Sequence, residues 1–110
     1  MSARSRGSGL RGRAQREPDS LEPRTARIIR RVREIPAGFV RTYGDVDPGA
    51  PRLVGRVLAT THDGLPWHRV VRADGSLAMG RKQRELLLKE GVPMRGDRVD
   101  LDDARLPTEL

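Results

Sequence analysis

The residues best suited to chemistry lie in the middle of the chain, at positions 65–71. This stretch holds the only tryptophan, Trp67, followed by one of the two histidines and an arginine. A histidine paired with a carboxylate, as His68 could be with Glu90 or Asp74, is common machinery for acid–base catalysis. However, no serine, cysteine or lysine stands in a recognisable activating context to serve as a nucleophile. An enzyme based on His68 therefore lacks a partner for its chemistry.

Charge is the strongest feature of the composition. The formal net charge is +7 over 110 residues, and all but two of the 22 basic residues are arginines. Guanidinium groups match phosphates and base edges better than ammonium groups do, so nucleic acid is the expected partner, with a high-GC codon bias as the alternative. The absence of cysteine excludes disulfides and cysteine-ligated metals and fits a cytosolic protein. We predict no metal and no cofactor.

The composition divides the chain into an arm and one domain. Residues 1–23 are polar, glycine-rich and basic, which predicts a disordered N-terminal arm and no signal peptide. Residues 24–110 are predicted to form a single domain, and no apolar run approaches the ~20 residues of a membrane-spanning helix. The C-terminal end is acidic and is expected to face away from nucleic acid, which would make Arg105 a neutral surface charge.

Two helices and a single helical turn are predicted in the first half of this domain. Ile28, Val32 and Ile35 recur at helical spacing, and Pro36 ends that helix. Thr42 is placed to cap a brief helix over residues 44–47.

A second long helix should run from the Ala50-Pro51 pair to Thr61, since proline suits the first turn. Its inward stripe would be Leu53, Val54, Val57, Leu58 and Thr61. The opposite face is basic but low, because two arginines alternate with small residues: Arg52, Gly55, Arg56 and Ala59. Such a face can approach a nucleic-acid groove closely, although an ordinary solvated face would show the same pattern.

The second half predicts two hairpins around a third helix. Residues 70–79 fit a β-hairpin with Gly75 in its turn. A helix over residues 81–90 should end at Gly91 and point three leucines inward: Leu86, Leu87 and Leu88. A last small hairpin is predicted around residues 96–97. The fold class is therefore mainly α with a small β-hairpin wing, a winged helix-turn-helix domain.

The motifs together resemble the DNA-binding domain of the alkylguanine-DNA alkyltransferases, in order from residue 28 to residue 91. They are Ile35-Pro36-Ala37-Gly38-Phe39-Val40, Tyr43-Gly44-Asp45-Val46, Pro51-Arg52-Leu53-Val54-Gly55 and Pro66-Trp67-His68-Arg69-Val70-Val71. In the enzymes the last run is Pro-Cys-His-Arg-Val, and its cysteine accepts the alkyl group. With Trp67 in that place, the chain is similar to the alkyltransferase-like proteins, non-enzymatic relatives that bind the lesion without removing it.

The resemblance implies roles for single residues. Tyr43 would press on the phosphate 3′ of the lesion, Arg52 would fill the place of the flipped base, and Trp67 would line the pocket. His68 and Glu90, which activate the thiol in the enzymes, would be structural partners here. The predicted DNA contacts are Tyr43, Arg52, Gly55, Arg56, Ala59 and Arg69. The predicted lesion pocket is Tyr43, Trp67, His68, Val70 and Arg81.

The sequence thus predicts a monomeric, cytoplasmic DNA-damage recognition protein that is nucleoid-associated when bound to DNA. It would bind O6-alkylguanine in duplex DNA through the minor groove, flip the base without alkyl transfer, and flag it for nucleotide excision repair proteins. The alternatives are a winged-helix transcription regulator and, for Trp67, a tryptophan of the core. A regulator would be expected to carry polar base-reading side chains such as asparagine or glutamine along its second helix, and that helix has neither.

Overall fold

The computed structural model describes residues 23–61 and 64–107. In chain order the elements are α1 (Pro23–Arg33), β1 (Arg41–Thr42), α2 (Tyr43–Val46), α3 (Pro51–Thr60), a 3₁₀ helix (Trp67–Arg69), β2 (Val70–Val71), α4 (Gly80–Lys89), β3 (Met94–Arg95), β4 (Arg98–Val99) and α5 (Leu101–Ala104). The predicted arm lies outside the described residues, apart from Pro23. Within them, no helix combines the length and the apolar character needed to cross a membrane.

Apolar side chains form two clusters that meet at strand β2. The first contains Ile28, Val32, Ile35, Val46, Val54, Val57, Leu58, Leu65 and Val70. The second contains Val40, Val71, Leu87, Val92, Val99 and Ala104. Because successive side chains of a strand point to opposite faces, Val70 belongs to one cluster and Val71 to the other. The short strand therefore links the helices α1–α3 to the C-terminal half of the domain.

Helix α1 has the predicted amphipathic form. Ile28 and Val32 are fully buried on its inner face. Ile35 is also buried, but the helix ends before it, at Arg33. Pro36 explains this end, since a proline disfavours the helical conformation of the residue before it.

Helices α2 and α3 form where capping residues place them. The Thr42 hydroxyl accepts a hydrogen bond from the Asp45 amide, and the Asp45 carboxylate accepts one from the Thr42 amide, which is a complete capping box. The resulting single turn is shifted by one residue from the predicted range. Helix α3 begins at Pro51 as predicted, with Val54, Val57 and Leu58 buried. The prediction that Thr61 points inward is wrong, because it follows the helix and is exposed.

Strand β2 pairs in parallel with β1, and the predicted hairpin over residues 70–79 is wrong. Its turn exists: the Gly75 amide donates to the Arg72 carbonyl over 2.8 Å. The chain then turns away, because the Gly75 carbonyl accepts from the Val99 amide over 2.9 Å. Gly75 has φ near +87°, and an added Cβ would collide with the Val99 carbonyl, so only glycine suits this contact. The later hairpin, β3 with β4, is confirmed.

Helix α4 buries one leucine of its predicted three. Leu87 is fully buried, Leu86 is half-buried and Leu88 is 49% exposed. Three consecutive residues span more than half a turn of a helix and cannot share one buried face. Gly91 follows the helix with φ near +76°, as predicted for its C-terminal cap.

The C-terminal segment is tied to β1 and α2. The Leu106 amide donates to the Val40 carbonyl over 2.8 Å. Arg105 donates to both carboxylate oxygens of the buried Asp45, over 2.9 Å and 2.7 Å. Burial alone would raise the pKa of Asp45, but the hydrogen bonds from Arg105 and Thr42 lower it overall. The expectation that Arg105 is a neutral surface charge is therefore wrong.

Arg105→Ala should destabilise the domain. The buried carboxylate of Asp45 would lose its charged partner, and we expect the free energy of unfolding to fall by about 1–2 kcal/mol, since solvent screens the half-exposed guanidinium. Urea denaturation measures this. Arg98→Ala is the matched control, because Arg98 is exposed and its ion pair with Asp74 is long, at 3.9 Å. Equal small losses for both variants would contradict a structural role for Arg105.

Candidate functional site

A cavity of about 220 Å³ opens between α2, α3 and the 3₁₀ helix. Its walls are Tyr43, Gly55, Leu58, Ala59, Trp67 and Met79. These side chains are apolar except for the tyrosine hydroxyl and the indole N–H of Trp67. One water needs about 10–15 Å³ of such space, so the cavity far exceeds a packing defect. Such walls suit a flat, largely apolar group.

Tyr43 forms one wall of this cavity. It directly follows the capping Thr42, and its ring lies beside Gly55, where an added Cβ would be 3.9 Å from Tyr43 Cε1. Burial raises the pKa of Tyr43, and the positive charge of nearby Arg72 opposes this. The hydroxyl is therefore protonated at neutral pH and can donate a hydrogen bond. Arg72 is a cation at the site that the sequence analysis did not single out.

Trp67 forms the facing wall. It is half-buried and packs against the first apolar cluster while also lining the cavity. Its ring meets the His68 ring edge-to-face, with centroids 5.9 Å apart and planes at 84°. The position of Trp67 therefore fits both hypotheses from the sequence, a wall of the pocket and a residue of the core.

The carboxylate of Glu90 binds the two residues of the 3₁₀ helix that follow Trp67. Glu90 Oε2 lies 2.8 Å from His68 Nε2 and accepts from Arg69 Nη2 over 2.7 Å. Arg69 Nε donates to Glu90 Oε1 over 3.0 Å, and Nη1 donates to the Ile35 carbonyl over 2.7 Å. The hydrogen bonds from Arg69 lower the pKa of Glu90 most, and the hydrogen bond from His68 lowers it further, while partial burial acts in the opposite direction. The net result is a pKa of about 2 instead of 4.5.

Gln83 fixes the other side of the same turn, and the sequence analysis missed it. It is 1% exposed. Its side-chain amide donates to the carbonyls of His68 and Val70, over 3.0 Å and 2.9 Å, and its oxygen accepts from the Met79 amide over 3.0 Å. The three hydrogen bonds of this buried amide therefore hold α4 against the backbone next to Trp67 and against the backbone of Met79, and both residues line the cavity. Met79 was also missed; its side chain is 61% exposed at the cavity.

The outward face of α3 borders the cavity. Arg52, Arg56 and Ala59 are exposed and Gly55 is half-buried, so the low basic face has the predicted orientation. Arg52 follows Pro51 in the first helical turn, where the helix dipole disfavours a cation. That turn contains no acidic residue to offset the charge. The placement therefore costs the helix stability.

The turn before Arg52 is braced from α1. Arg24 donates to both carboxylate oxygens of Asp47, over 2.8 Å and 3.1 Å. The Gly49 amide donates to the same carboxylate over 3.1 Å. The bond from Arg24 lowers the pKa of Asp47, which therefore stays ionised. This clamp sets the start of α3 and hence the position of Arg52.

Four predicted site residues lie elsewhere than expected. Val70 is fully buried in the first cluster and does not reach the cavity. The His68 ring is directed to Glu90. Arg81 lines a separate concavity with Ser76, Gly80 and Arg84. The guanidinium of Arg69, predicted to contact DNA, is 18% exposed and engaged by Glu90 and Ile35.

No cluster of histidine and carboxylate side chains that could hold a metal ion occurs in the two described segments.

Comparisons with known proteins agree with this fold. The family described as 6-O-methylguanine DNA methyltransferase, DNA binding domain, matches residues 23–92, and the chain belongs to it. The DNA base-flipping protein of Escherichia coli (strain K12) is 42% identical over 91 residues, 72% of this chain and 70% of that protein. Alkyltransferase-like protein 1 of Schizosaccharomyces pombe is 35% identical over 74 residues, 56% of this chain and 68% of that protein. The resemblance drawn from the sequence is confirmed.

A solved structure shares the fold. The crystal structure of S. pombe Atl1 in complex with damaged DNA containing O6-carboxymethylguanine gives a TM-score of 0.68 at 24% identity, covering 84% of this chain and 99% of that chain. The predicted fold class, mainly helical with small sheets, is confirmed, with the hairpin at β3–β4 instead of residues 70–79.

Glu90→Gln should flatten the acid dependence of stability. The lowered pKa means that Glu90 stabilises the fold fully above about pH 4.5 and loses this contribution as the pH falls towards about 2. We expect the variant to be less stable by about 2–3 kcal/mol at neutral pH and nearly equal to the wild type near the lower limit. Denaturant unfolding across this pH range measures the difference.

Glu85→Gln supplies the control on the same helix, because Glu85 is exposed and its carboxylate makes no hydrogen bond or ion pair with the described residues. A difference between Glu90→Gln and the wild type that stays constant with pH would contradict the role given to the carboxylate.

Proposed function

We propose that this protein binds duplex DNA through the outward face of α3, receives an O6-alkylated guanine turned out of the base stack, and does not remove the alkyl group. It would then flag the lesion for nucleotide excision repair proteins, acting as a monomer. That handover is drawn from the family resemblance alone. Duplex binding, reception of the extruded base and the lack of alkyl transfer are supported by residues of this chain.

The observation that carries the proposal is the apolar cavity next to the outward face of α3, on which Arg52 makes no ion pair with the described residues. Tyr43 and Trp67 offer two aromatic walls to a flat heterocycle, and aromatic faces gain most from such contacts. An alkyl group makes the base more apolar, which suits walls formed by Leu58, Ala59 and Met79. The size of the cavity fits a base and not a peptide or a duplex, so the base must leave the stack to enter.

The side chains around the cavity can maintain an extruded base. Extrusion costs a few kcal/mol, and less for a damaged, poorly paired base. Arg52 is exposed on the same face of α3 as Gly55 and Ala59, from which it would fill the gap, and the two small residues would allow close approach to the minor groove. The protonated hydroxyl of Tyr43 can donate to a backbone phosphate, with Arg72 adding positive charge.

The chain lacks the means for alkyl transfer. It contains no cysteine, the residue that accepts the alkyl group in the enzymes of the resembling family. His68 is bonded to Glu90, which also accepts from Arg69, but no thiol stands beside the imidazole for this pair to activate. A tryptophan carbon is no substitute for a thiolate as an acceptor.

A transcription regulator is not favoured by any contact at this site. The exposed face of α3 presents arginine, glycine and alanine, without the asparagine or glutamine that reads adenine in the major groove.

Matched duplexes with and without one O6-methylguanine test the proposal. Because Trp67 is the only tryptophan, its fluorescence should be quenched when a base packs against the indole, and the quenching should saturate with the alkylated duplex. The plain duplex should bind more weakly and quench less. Similar affinity and quenching for both duplexes would contradict lesion binding.

The same samples decide the question of transfer. The intact mass of the protein should be unchanged after incubation with the methylated duplex. A gain of one methyl group would show that the protein is an acceptor and would contradict the proposal.

Arg52→Ala should weaken binding to the alkylated duplex strongly. Loss of a central arginine at an interface costs about 2 kcal/mol or more, or roughly 30-fold in affinity. Binding to the plain duplex should fall less, because no gap needs to be filled there. Titration by fluorescence anisotropy gives both affinities.

Arg98→Ala removes one exposed charge away from the cavity and should cost about one phosphate contact or less. Equal losses for Arg52→Ala and Arg98→Ala on the alkylated duplex would refute the role of Arg52 in holding the gap.

A further inference from the structure

The outer face of α1 carries a row of arginines that the proposed site does not use. We call Arg24, Arg27, Arg30 and Arg31 the α1 arginine stripe. Arg24, Arg27 and Arg31 follow helical spacing, and Arg30 lies beside them. Three of the four are exposed, and Arg31 is half-exposed. The opposite face of the helix carries the buried Ile28 and Val32, so the stripe points to solvent.

The stripe is unfavourable for the helix itself. Like charges three or four residues apart repel each other, as Arg27 does with Arg30 and Arg31. The helix dipole favours cations only in the last turn, which accounts for Arg30 and Arg31 but not for Arg24 and Arg27. Of these four arginines, only Arg24 forms an ion pair with a described residue, Asp47. The side chains of the other three make no hydrogen bond or ion pair with the described residues, although the charge of Arg27 helps to lower the pKa of Asp47.

The stripe begins at the edge of the proposed DNA-binding face. Arg24 clamps Asp47 and lies over Gly49, where an added Cβ would collide with its guanidinium. Helix α3 and Arg52 follow directly after this turn. From there the stripe runs seven residues along α1, which is about 10 Å. Duplex DNA carries one phosphate charge per about 1.7 Å of its axis, so a stretch of this length meets several phosphates.

We propose that the α1 arginine stripe binds the phosphate backbone of the same duplex, beyond the base that enters the cavity and on the side of the α2–α3 turn. The inference extends the proposed function by a second contact surface, and it requires only that the protein binds duplex DNA. The surface is continuous with the α3 face, and guanidinium groups bond phosphates in a bidentate manner. The stripe adds affinity without distinguishing the lesion, because every nucleotide has the same phosphate.

The triple variant Arg27→Gln/Arg30→Gln/Arg31→Gln tests the proposal on a plain duplex. Each lost phosphate contact should reduce the slope of log affinity against log salt by about 0.9, so we expect a reduction of about 1–3. The matched control is Lys89→Gln/Arg95→Gln/Arg98→Gln, which removes three exposed cations from the end of α4 and from the β3–β4 hairpin. Its slope should stay close to that of the wild type.

Duplex length provides a second readout. Shortening the duplex from the end next to the α2–α3 turn should lower wild-type affinity and leave the stripe variant nearly unaffected. Equal slopes for the two triple variants would show a net-charge effect and overturn the proposal. A larger loss of binding to single-stranded RNA than to duplex DNA would also overturn it. If the triple variant melts early, Arg30→Gln alone should still reduce the slope by about 0.9.

The ratio of affinities for alkylated and plain duplexes separates this inference from the proposed function. The stripe variant should keep the wild-type ratio, because both duplexes lose the same contacts. A stripe variant that loses the preference for alkylated DNA would contradict a lesion-independent surface. A wild type without any preference would refute lesion recognition, while the salt slopes would still decide the role of the stripe.

Discussion

The carboxylate of Glu90 is the interaction on which the site depends. It lies at the end of α4, where the helix dipole disfavours a negative charge, and it remains ionised because Arg69 and His68 donate to it. These bonds fix the 3₁₀ helix that carries Trp67, while the third donor of Arg69 reaches the chain after α1. A single ionised group thus connects α4, the cavity wall and the segment between α1 and β1.

The same contacts explain how an arrangement suited to catalysis serves as a scaffold. A histidine bonded to a carboxylate would activate a thiol if one stood beside it. Here the neighbouring residue is Trp67, and the lone pairs of Glu90 are used by two cationic or polar donors. The hydrogen bonds of such a site are present here, and they hold the 3₁₀ helix rigidly. A rigid aromatic wall lowers the entropy cost of binding, which matters for a protein that must offset the cost of unstacking a base.

Local signals in the sequence predicted local structure well. The Thr42 cap, Pro51 at the start of α3 and Gly91 after α4 each act within a few residues, and each gave the right element. Contacts between distant residues were not predictable in this way. Nothing near Val70 indicates a parallel partner at Arg41, and the pairing of Arg105 with Asp45 joins residues 60 positions apart.

The sequence predicted the orientation of site residues that depend only on the periodicity of their own helix. It missed those whose position depends on contacts with other elements. The orientations of Arg52, Arg56 and Ala59 follow from helix periodicity. Val70 was assigned to the pocket by its place in a motif, but alternation along β2 turns it into the core. Gln83 and Met79 had no motif at all. The role of Gln83 is evident only from the three hydrogen bonds of its buried side-chain amide, which require α4 to be packed against the 3₁₀ helix. One of these bonds is accepted from the Met79 amide.

In the proposed function, the arginines and the cavity contribute to DNA binding in different ways. If the protein binds as proposed, the arginines of α1 and α3 would attract any duplex, and salt would weaken their contribution equally for damaged and intact DNA. Selectivity would have to come from a term that differs between the two, and a cavity that accepts a base only after unstacking would provide it. An alkylated guanine unstacks at lower cost and gains more from apolar walls. Preference for the lesion would therefore rest on Tyr43 and Trp67, and on Glu90 and Gln83, which hold the 3₁₀ helix of Trp67 in position.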